Sequence, residues 1–343
     1  MQINLFHKAL TDFLSVYMPQ IRNASHNTIT SYCDTFRLFL QYLRDEEDIA
    51  IGKVTIDMLN SDLVNRFLFW LGDTRNSSIN TRNQRLACLQ SFAKYLQGEY
   101  PDKLISLQNV VQMKHKKRVQ SEVEYLTVDD VKLLLSQPDI STISGRRDLT
   151  LLSVMYDTGA RVQEIVDLRV RDLRLETPAH IQLTGKGRKV RFTPLLEGTW
   201  RLLSRYLEEH RLTTADKLDA PLFNNRAGNR FTRAGITYIL TKYAAMAKAQ
   251  KPLKCDNITP HLLRHTKAMH LLQAGINIIY IRDLLGHTDV KTTTVYARAD
   301  MQMKREALEK ADWQTAPPQA SSWNSNSDLM GWLGSFGKQR HIM

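Results

Sequence analysis

The sequence has few cysteines and no long apolar run. Its three cysteines form no CxxC pair or other metal-ligand spacing: Cys33, Cys88 and Cys255. An odd set of this kind predicts reduced thiols in a cytoplasmic compartment. No apolar stretch approaches the roughly 20 residues that cross a bilayer, and the N-terminus lacks the small-residue cleavage site of a secretory signal. The sequence therefore predicts a cytoplasmic protein without a membrane partner.

Acidic residues are also few relative to basic ones. The 35 acidic residues face 47 lysines and arginines, which gives a formal net charge of +12. A hydrophobic fraction of 43% and a length of 343 residues are typical of a globular protein with two ordinary domains. A basic chain of this size usually attracts a polyanion, most often nucleic acid. From charge alone, a basic protein without such a partner is the alternative.

The first part of the chain, residues 1–112, predicts a helical domain. Apolar residues follow one helix face in four segments, residues 4–21, 27–47, 58–73 and 77–96. The fourth segment opens on a serine cap and carries Arg82 and Arg85 in its first turns. The positive end of a helix dipole favours phosphate there, so we predict that both arginines bind DNA. A plain helical bundle with solvated arginines is the alternative for this part.

A basic linker is predicted over residues 113–127. It carries four cations without periodic apolar neighbours: Lys114, Lys116, Lys117 and Arg118. Such a run can track a phosphate backbone, although a solvated charge run is the ordinary explanation. We predict that these four residues also bind DNA.

The second part, residues 128–312, predicts helices with a small sheet. Helical patterns end at Gly159 and resume over residues 160–173. Alternating apolar residues on each side of a GKG turn predict a β-hairpin or a pair of sheet strands over residues 180–195. Predicted helix boundaries are a capping signal at Thr127 and Asp130, a cap at Thr259 with Pro260 after it, and a stop at Gly286. The predicted fold class is mainly α with a small β-sheet (α+β).

One short stretch, PHLLRHTKAMHLL at residues 260–272, suggests a functional site. His261, Arg264 and His265 share a face if the stretch is helical. Zinc is disfavoured, because the glutamate of HExxH is missing and an arginine between two ligands repels a cation. A structural histidine pair is one alternative, and it suits His265. The other is an anion site, where an arginine fork binds phosphate oxygens beside an imidazole.

Residues elsewhere in the chain favour the anion site. Arg161 follows a glycine turn at a helix start, Lys186 lies in the GKG turn, and His287 precedes Tyr296. Without a carboxylate pair for Mg²⁺, this set suits metal-free transesterification of a phosphodiester. Arginines would neutralise charge on the non-bridging oxygens, and a deprotonated tyrosine would be the nucleophile. No metal or other cofactor is predicted.

These motifs and their order resemble those of the tyrosine recombinase (phage integrase) family. They are Arg161 in GARVQEI, Lys186 in TGKGRK, His261 and Arg264 in HLLRH, His287 in DLLGH, and Tyr296. The first part resembles the family's core-binding domain, including the pattern of Ser25, Thr28 and Tyr32. The second part resembles its catalytic domain. Asp283, where relatives often carry Glu or Gln, departs from the pattern but lies outside the catalytic set.

The resemblance implies a site-specific recombinase and a role for each matched residue. Tyr296 would form a 3′-phosphotyrosyl bond, Arg161 and Arg264 would clamp the phosphate, and Lys186 would protonate the leaving 5′-oxygen. The proton transfers would be assisted by His261 and His287. The implied partners are double-stranded DNA with short inverted-repeat core sites and a homo-tetramer on that DNA, and neither ATP nor a metal is needed.

Three other functions are alternatives to a simple site-specific recombinase. A type IB topoisomerase has a similar site but acts as a monomer, and a silent DNA-binding regulator is disfavoured because all six catalytic positions are filled. Because the chain opens on the core-binding helices, a simple recombinase is favoured over an arm-dependent integrase.

The tail, residues 313–343, has the pattern of a short amphipathic helix that could be exchanged between protomers. Its apolar face would consist of Leu329, Trp332, Leu333 and Phe336. A tail that folds back on its own domain or stays disordered is nearly as good an interpretation.

Overall fold

The computed structural model describes residues 4–117, 123–176 and 178–286, without the side chain of Lys186. The chain divides into two compact units, with the boundary after residue 121. Helices predominate in both units, and the second also contains a three-stranded antiparallel sheet. The predicted fold class, mainly α with a small β-sheet, is therefore confirmed. Across the described residues, no helix combines the length and the apolarity needed to cross a membrane.

The first unit is a bundle of helices packed around phenylalanines. Phe36 and Phe92 meet with ring centroids 5.0 Å apart, and Phe39 and Phe67 with centroids 5.2 Å apart. Such aromatic pairs add to the free energy gained by burial alone. The helices of this unit are α1 (Leu5–Asp12), α2 (His26–Asp45), α3 (Ser61–Asp73), α4 (Ile79–Glu99) and α5 (Leu104–Val111).

Two predicted helices of this unit differ in detail from the structure. The first changes into a π-helix over Phe13–Ile21, with Pro19 inside it. Proline has no N–H to donate. In this wider turn Met18 is buried and Ile21 is exposed. The third predicted helix starts at Ser61 and not at residue 58, because the side chain of Asn60 caps it by accepting from the Leu63 N–H.

The starts of α2 and α4 share one capping arrangement. Ser25 accepts a hydrogen bond from the Thr28 N–H, and Ser78 accepts one from the Thr81 N–H. Each cap satisfies a donor that the helix itself leaves unpaired. The serine and threonine of the Ser25, Thr28, Tyr32 pattern therefore have a local structural role, while the Tyr32 ring packs 5.9 Å from that of Phe13.

Both described ends of the predicted linker are bound to neighbouring helices. The Lys116 N–H donates to Asn83 Oδ1 of α4 at 3.1 Å, and Asn83 Nδ2 donates to the Lys116 carbonyl at 2.9 Å. At the other end, the Leu126 N–H donates to Thr266 Oγ1 at 3.0 Å. Residues 118–122, including Arg118, lie outside the described residues. The basic run up to Lys117 is thus held by the first unit.

The second unit surrounds its sheet with helices. The sheet order is β1-β2-β3, with β1 at Leu173–Arg174, β2 at His180–Thr184 and β3 at Val190–Pro194. The predicted hairpin is confirmed: Ile181 and Leu183 are buried, whereas Val190 and Phe192 are exposed on the opposite face. The helices are α6 (Val128–Leu135), α7 (Ile143–Thr158), α8 (Val162–Asp167), α9 (Glu197–Glu209), α10 (Arg233–Gln250), α11 (Pro260–Gln273) and α12 (Ile278–Leu285).

The helix predicted over residues 160–173 is shorter than expected. It ends at Asp167, and the chain then runs through a 3₁₀ turn into β1. The Leu222 N–H donates to the Leu168 carbonyl at 2.8 Å, and the Val170 N–H donates to the Ala220 carbonyl at 3.1 Å. These hydrogen bonds to a distant segment replace those that a longer helix would have made.

Candidate active site

A glycine turn presents Arg161 at the start of α8. Helix α7 ends at Gly159, whose φ of +56° is left-handed, and a Cβ there would lie 2.7 Å from Leu285 Cδ2. Only glycine fits both conditions. The Arg161 N–H then donates to Glu164 Oε2 at 2.8 Å, and its Nη1 donates to Glu164 Oε1 at 2.9 Å. The predicted turn and helix start are confirmed, and the Arg161 side chain is 33% exposed.

Arg264 is buried one turn into α11. Thr259 caps this helix by accepting from the Leu262 N–H, and Pro260 takes the first position, as predicted. Arg264 Nη1 donates to the Gly159 carbonyl at 2.7 Å, and Nη2 donates to the Leu285 carbonyl at 2.5 Å. One guanidinium thus joins the turn that presents Arg161 to the end of α12.

The C-terminal end of α12 lies against three arginines. Its last turn stops at Gly286, with φ +63° as predicted. The Leu284 carbonyl accepts from Arg191 Nε at 2.8 Å, the Leu285 carbonyl from Arg264, and the Gly286 carbonyl from Arg161 Nη2 at 3.2 Å. Cations are favoured there because a helix C-terminus carries partial negative charge. Three arginines from distant segments therefore meet immediately before residue 287.

Sequence reasoning did not identify two members of this cluster, Glu164 and Arg191. The side chain of Glu164 is 3% exposed, and Arg191 binds it through both oxygens at 2.8 and 2.7 Å. Burial by itself raises the pKa of Glu164, but Arg191 and then Arg161 outweigh it and hold the pKa below its usual range. The i, i+3 spacing from Arg161 was an available signal for Glu164, whereas nothing local pointed to Arg191. We call Arg161, Glu164, Arg191 and Arg264 the arginine centre.

The turn of the hairpin lies beside the arginine centre. A Cβ built on Gly185 would lie 3.1 Å from Glu164 Oε1 and 3.7 Å from Arg161 Nη1. Gly187 has a φ of +74°, which lets the turn close within a few residues. The backbone that carries Lys186 is therefore adjacent to Arg161, although the Lys186 side chain is outside the description.

The two histidines of α11 have different surroundings. His261 is exposed, one helical turn before Arg264, while His265 is partly buried. Burial lowers the pKa of His265, and its electrostatic interactions with His261 and Arg264 lower it further. His287 and Tyr296 lie outside the described residues. Within residues 4–117, 123–176 and 178–286, no cluster of three or more metal-ligating side chains occurs.

The residues predicted to bind DNA in the first unit occupy two kinds of position. Arg85 Nη1 donates to the Ser31 carbonyl at 3.0 Å and to Thr35 Oγ1 at 2.9 Å, so it joins α4 to α2. Arg82 is partly buried on the same helix. The described cations of the basic run are exposed: Lys114, Lys116 and Lys117. DNA contact by all of these residues stays a prediction.

Comparison with known families accounts for both units. The model of the phage integrase family matches residues 124–303, and that of the phage integrase N-terminal SAM-like domain matches residues 10–100. The first match covers more than half of the chain. The chain belongs to the phage integrase family of tyrosine recombinases.

Curated relatives of this recombinase match over most of their length. A Sinorhizobium fredii protein named "Putative integrase/recombinase y4rC" is 36% identical over 95% of this chain and 97% of its own. The tyrosine recombinase XerD of Listeria monocytogenes is 36% identical over 84% of this chain and 92% of its own. The recombinase is thus an enzyme of the class that cleaves and rejoins DNA at specific sites, and neither a topoisomerase nor a silent regulator is favoured.

Solved structures share the fold. XerH bound to its difH substrate before cleavage superposes with a TM-score of 0.65 at 21% identity, over 88% of this chain and 87% of that one. The Tn1549 transposon integrase with circular-intermediate DNA gives a TM-score of 0.66 at 20% identity, over 87% of this chain and 98% of that one. At these identities the likeness concerns the fold alone.

Proposed function

We propose that this recombinase cleaves DNA by attack of Tyr296 on the scissile phosphate, with Arg161 and Arg264 of the arginine centre as the phosphate clamp. The observation that carries the proposal is the convergence of Arg161 and Arg264 on the last carbonyls of α12, directly before the segment with His287 and Tyr296. Three cations against one buried carboxylate leave an excess of positive charge at this point. Such an excess suits a phosphodiester whose negative charge grows in the transition state.

The proposed reaction needs neither a metal ion nor a nucleotide cofactor. The Tyr296 hydroxyl gives its proton to one of the two histidines, His261 or His287, as its oxygen bonds to phosphorus. The bond from phosphorus to the 5′-oxygen breaks, and Lys186 gives that oxygen its proton. Arg161 and Arg264 neutralise the non-bridging oxygens, while His261 and His287 hydrogen-bond the phosphate and assist proton transfer. Because the 3′-phosphotyrosyl bond keeps the energy of the phosphodiester, a 5′-hydroxyl from another strand can reverse the reaction and join to it.

The test is to trap the intermediate on a nicked suicide substrate that carries the ends of the element served by the enzyme. Cleavage next to the nick releases a short fragment, so that religation fails and the adduct accumulates. Peptide mapping should find DNA attached to Tyr296 through a 3′-phosphate. Attachment to another residue, or a free 3′-phosphate without an adduct, would refute the proposal.

Replacing Lys186 with alanine should slow cleavage roughly 100-fold, within the usual range for loss of a general acid. A substrate with sulfur in place of the 5′-bridging oxygen should restore most of the rate, because a thiolate leaves without needing a proton. The measurement is single-turnover adduct formation on both substrates. The control is Lys189→Ala, which removes an exposed cation of the same hairpin. This variant should cleave both substrates at the wild-type rate. Equal slowness of Lys186→Ala on both substrates would exclude Lys186 as the acid.

The assembly that we propose follows from the reaction. Residues 1–112 and 128–312 act as core-binding and catalytic domains, joined by the linker over residues 113–127. Recombination involves two duplexes with two cuts in each, so the active species is a homo-tetramer on short inverted-repeat sites in the cytoplasm. We assign the tail, residues 313–343, to exchange between protomers.

Charge reversal in the basic run should weaken DNA binding without changing site preference. Lys116→Glu with Lys117→Glu removes two exposed cations, and we expect the slope of log affinity against log salt to fall by about 2. Titration of specific and random duplexes at several salt concentrations measures both quantities. Lys8→Glu with Lys53→Glu, also exposed in the first unit, gives the same change of net charge as a control. An unchanged salt slope in the Lys116 and Lys117 variant would place these lysines away from the phosphates.

A further inference from the structure

The described contacts of Arg191 lie entirely within the candidate active site. It extends from β3, where it pairs in register with Leu183 of β2. Its side chain is 11% exposed, donates through both terminal nitrogens to Glu164 and donates through Nε to the Leu284 carbonyl. A largely buried arginine that is bound on two sides is held in one orientation, so Arg191 is part of the scaffold around Arg161.

Glu164 has four donors at ordinary hydrogen-bond distances. Oε1 accepts from Arg161 Nη1 at 2.9 Å and from Arg191 Nη1 at 2.8 Å, while Oε2 accepts from the Arg161 N–H at 2.8 Å and from Arg191 Nη2 at 2.7 Å. Arg161 therefore uses one terminal nitrogen on the carboxylate, and Arg191 uses two. The bidentate pairing, the stronger and more directional kind, belongs to Arg191.

We propose that Arg191 is a positioning residue that keeps Arg161 available to the scissile phosphate. By holding both oxygens of Glu164, it prevents the carboxylate from forming its own bidentate pair with the Arg161 guanidinium. Without Arg191, Glu164 would be a buried anion with Arg161 as its remaining described partner, and the two would form a neutral pair. This inference rests on the proposed role of Arg161 as a phosphate clamp.

The position of Gly286 supports the same assignment. A Cβ built there would lie 2.9 Å from Arg191 Nη1 and 3.0 Å from Arg191 Cδ. The end of α12 thus closes directly over the Arg191 side chain, and Arg191 also belongs to the hairpin that carries Lys186. One side chain therefore links the carboxylate that holds Arg161 to the hairpin and to the end of α12.

The experiment compares Arg191→Met with the wild-type enzyme in single-turnover adduct formation on the nicked substrate. We expect adduct formation to slow by roughly 10- to 100-fold, because a displaced phosphate clamp costs about what a lost transition-state hydrogen bond costs. Affinity for an intact site should stay at the wild-type value. A wild-type rate of adduct formation in Arg191→Met would overturn the proposal.

A double variant separates positioning from mere structural support. In Arg191→Met with Glu164→Gln, the neutral amide no longer draws Arg161 inward, so the double variant should be faster than Arg191→Met alone. If Arg191 only supports the fold, the rate losses caused by the two substitutions should add, and the double variant should be no faster than Arg191→Met. A double variant as slow as the single one would therefore overturn the proposal. Where Arg191→Met is unfolded, Glu164→Gln is compared with the double variant. The two rates of adduct formation should agree within about threefold. A double variant that is slower than Glu164→Gln by more than this overturns the proposal.

Arg147→Met is the matched control for stability. Arg147 is 15% exposed and pairs with the buried Asp148, and its described contacts, with Asp148, Asn224 and Phe231, include no member of the arginine centre. The Arg147→Met variant should have a lower melting temperature than the wild type, as Arg191→Met should, but it should form the adduct at the wild-type rate. A slowed Arg147→Met would overturn the proposal by showing that lost stability suffices. Absence of a Tyr296 adduct in the wild type would instead refute the proposed function.

Discussion

A Tyr296→Phe variant should form no covalent adduct with DNA while binding a single site with wild-type affinity. The substitution removes the nucleophilic oxygen and keeps the ring, so that only the chemistry is lost. Denaturing gels of the nicked-substrate reaction measure the adduct, and gel shifts measure binding.

Wild-type adduct formation should proceed equally well in excess EDTA, because no step of the proposed reaction uses a metal.

Tyr280→Phe is the control for this experiment. Tyr280 lies in the largely apolar sequence IIYIRDLL, yet the residue is 71% exposed on α12. Tyr280 is exposed and close in sequence to Tyr296, so among the described residues it is a direct alternative nucleophile. We expect Tyr280→Phe to form the adduct at the wild-type rate. An adduct that persists in Tyr296→Phe would refute the assignment of the nucleophile.

Arg264→Ala should show the second largest effect, a loss of cleavage rate of at least about 100-fold. The variant loses a phosphate clamp and also leaves the Gly159 and Leu285 carbonyls without this donor. Each unpaired buried carbonyl costs about 1–3 kcal/mol of unfolding free energy. Arg264→Lys should be nearly as slow, because an ammonium lacks the fork that reaches both carbonyls. Single-turnover cleavage and denaturant unfolding measure the two effects.

Arg282→Ala provides the control for the loss of an arginine near this site. Arg282 lies on α12 and pairs with the exposed Asp283, the position at which the sequence departs from the family pattern. Its removal should leave the cleavage rate unchanged and alter stability by less than about 1 kcal/mol. A normal cleavage rate in Arg264→Ala would remove Arg264 from the proposed catalytic set.

The sequence by itself determined the local features of this protein. The caps at Ser78, Thr127 and Thr259 and the helix stops at Gly159 and Gly286 lie where their residue types predicted them. Each depends on hydrogen bonds or backbone angles within about four residues. The hairpin was equally predictable, because alternation and a glycine turn are properties of one short segment.

Only the tertiary structure decided which distant residues meet. Arg264 donates to a carbonyl 105 positions away, and Arg191 binds a carboxylate 27 positions away. The short strand β1 and the π-helix through Pro19 likewise contradicted the local helical pattern. Pairing partners across such separations depend on how the helices and the sheet pack, which no periodicity within one segment encodes. For that reason Arg161 and Arg264 were predicted from motifs, whereas Arg191 became visible only in the folded chain.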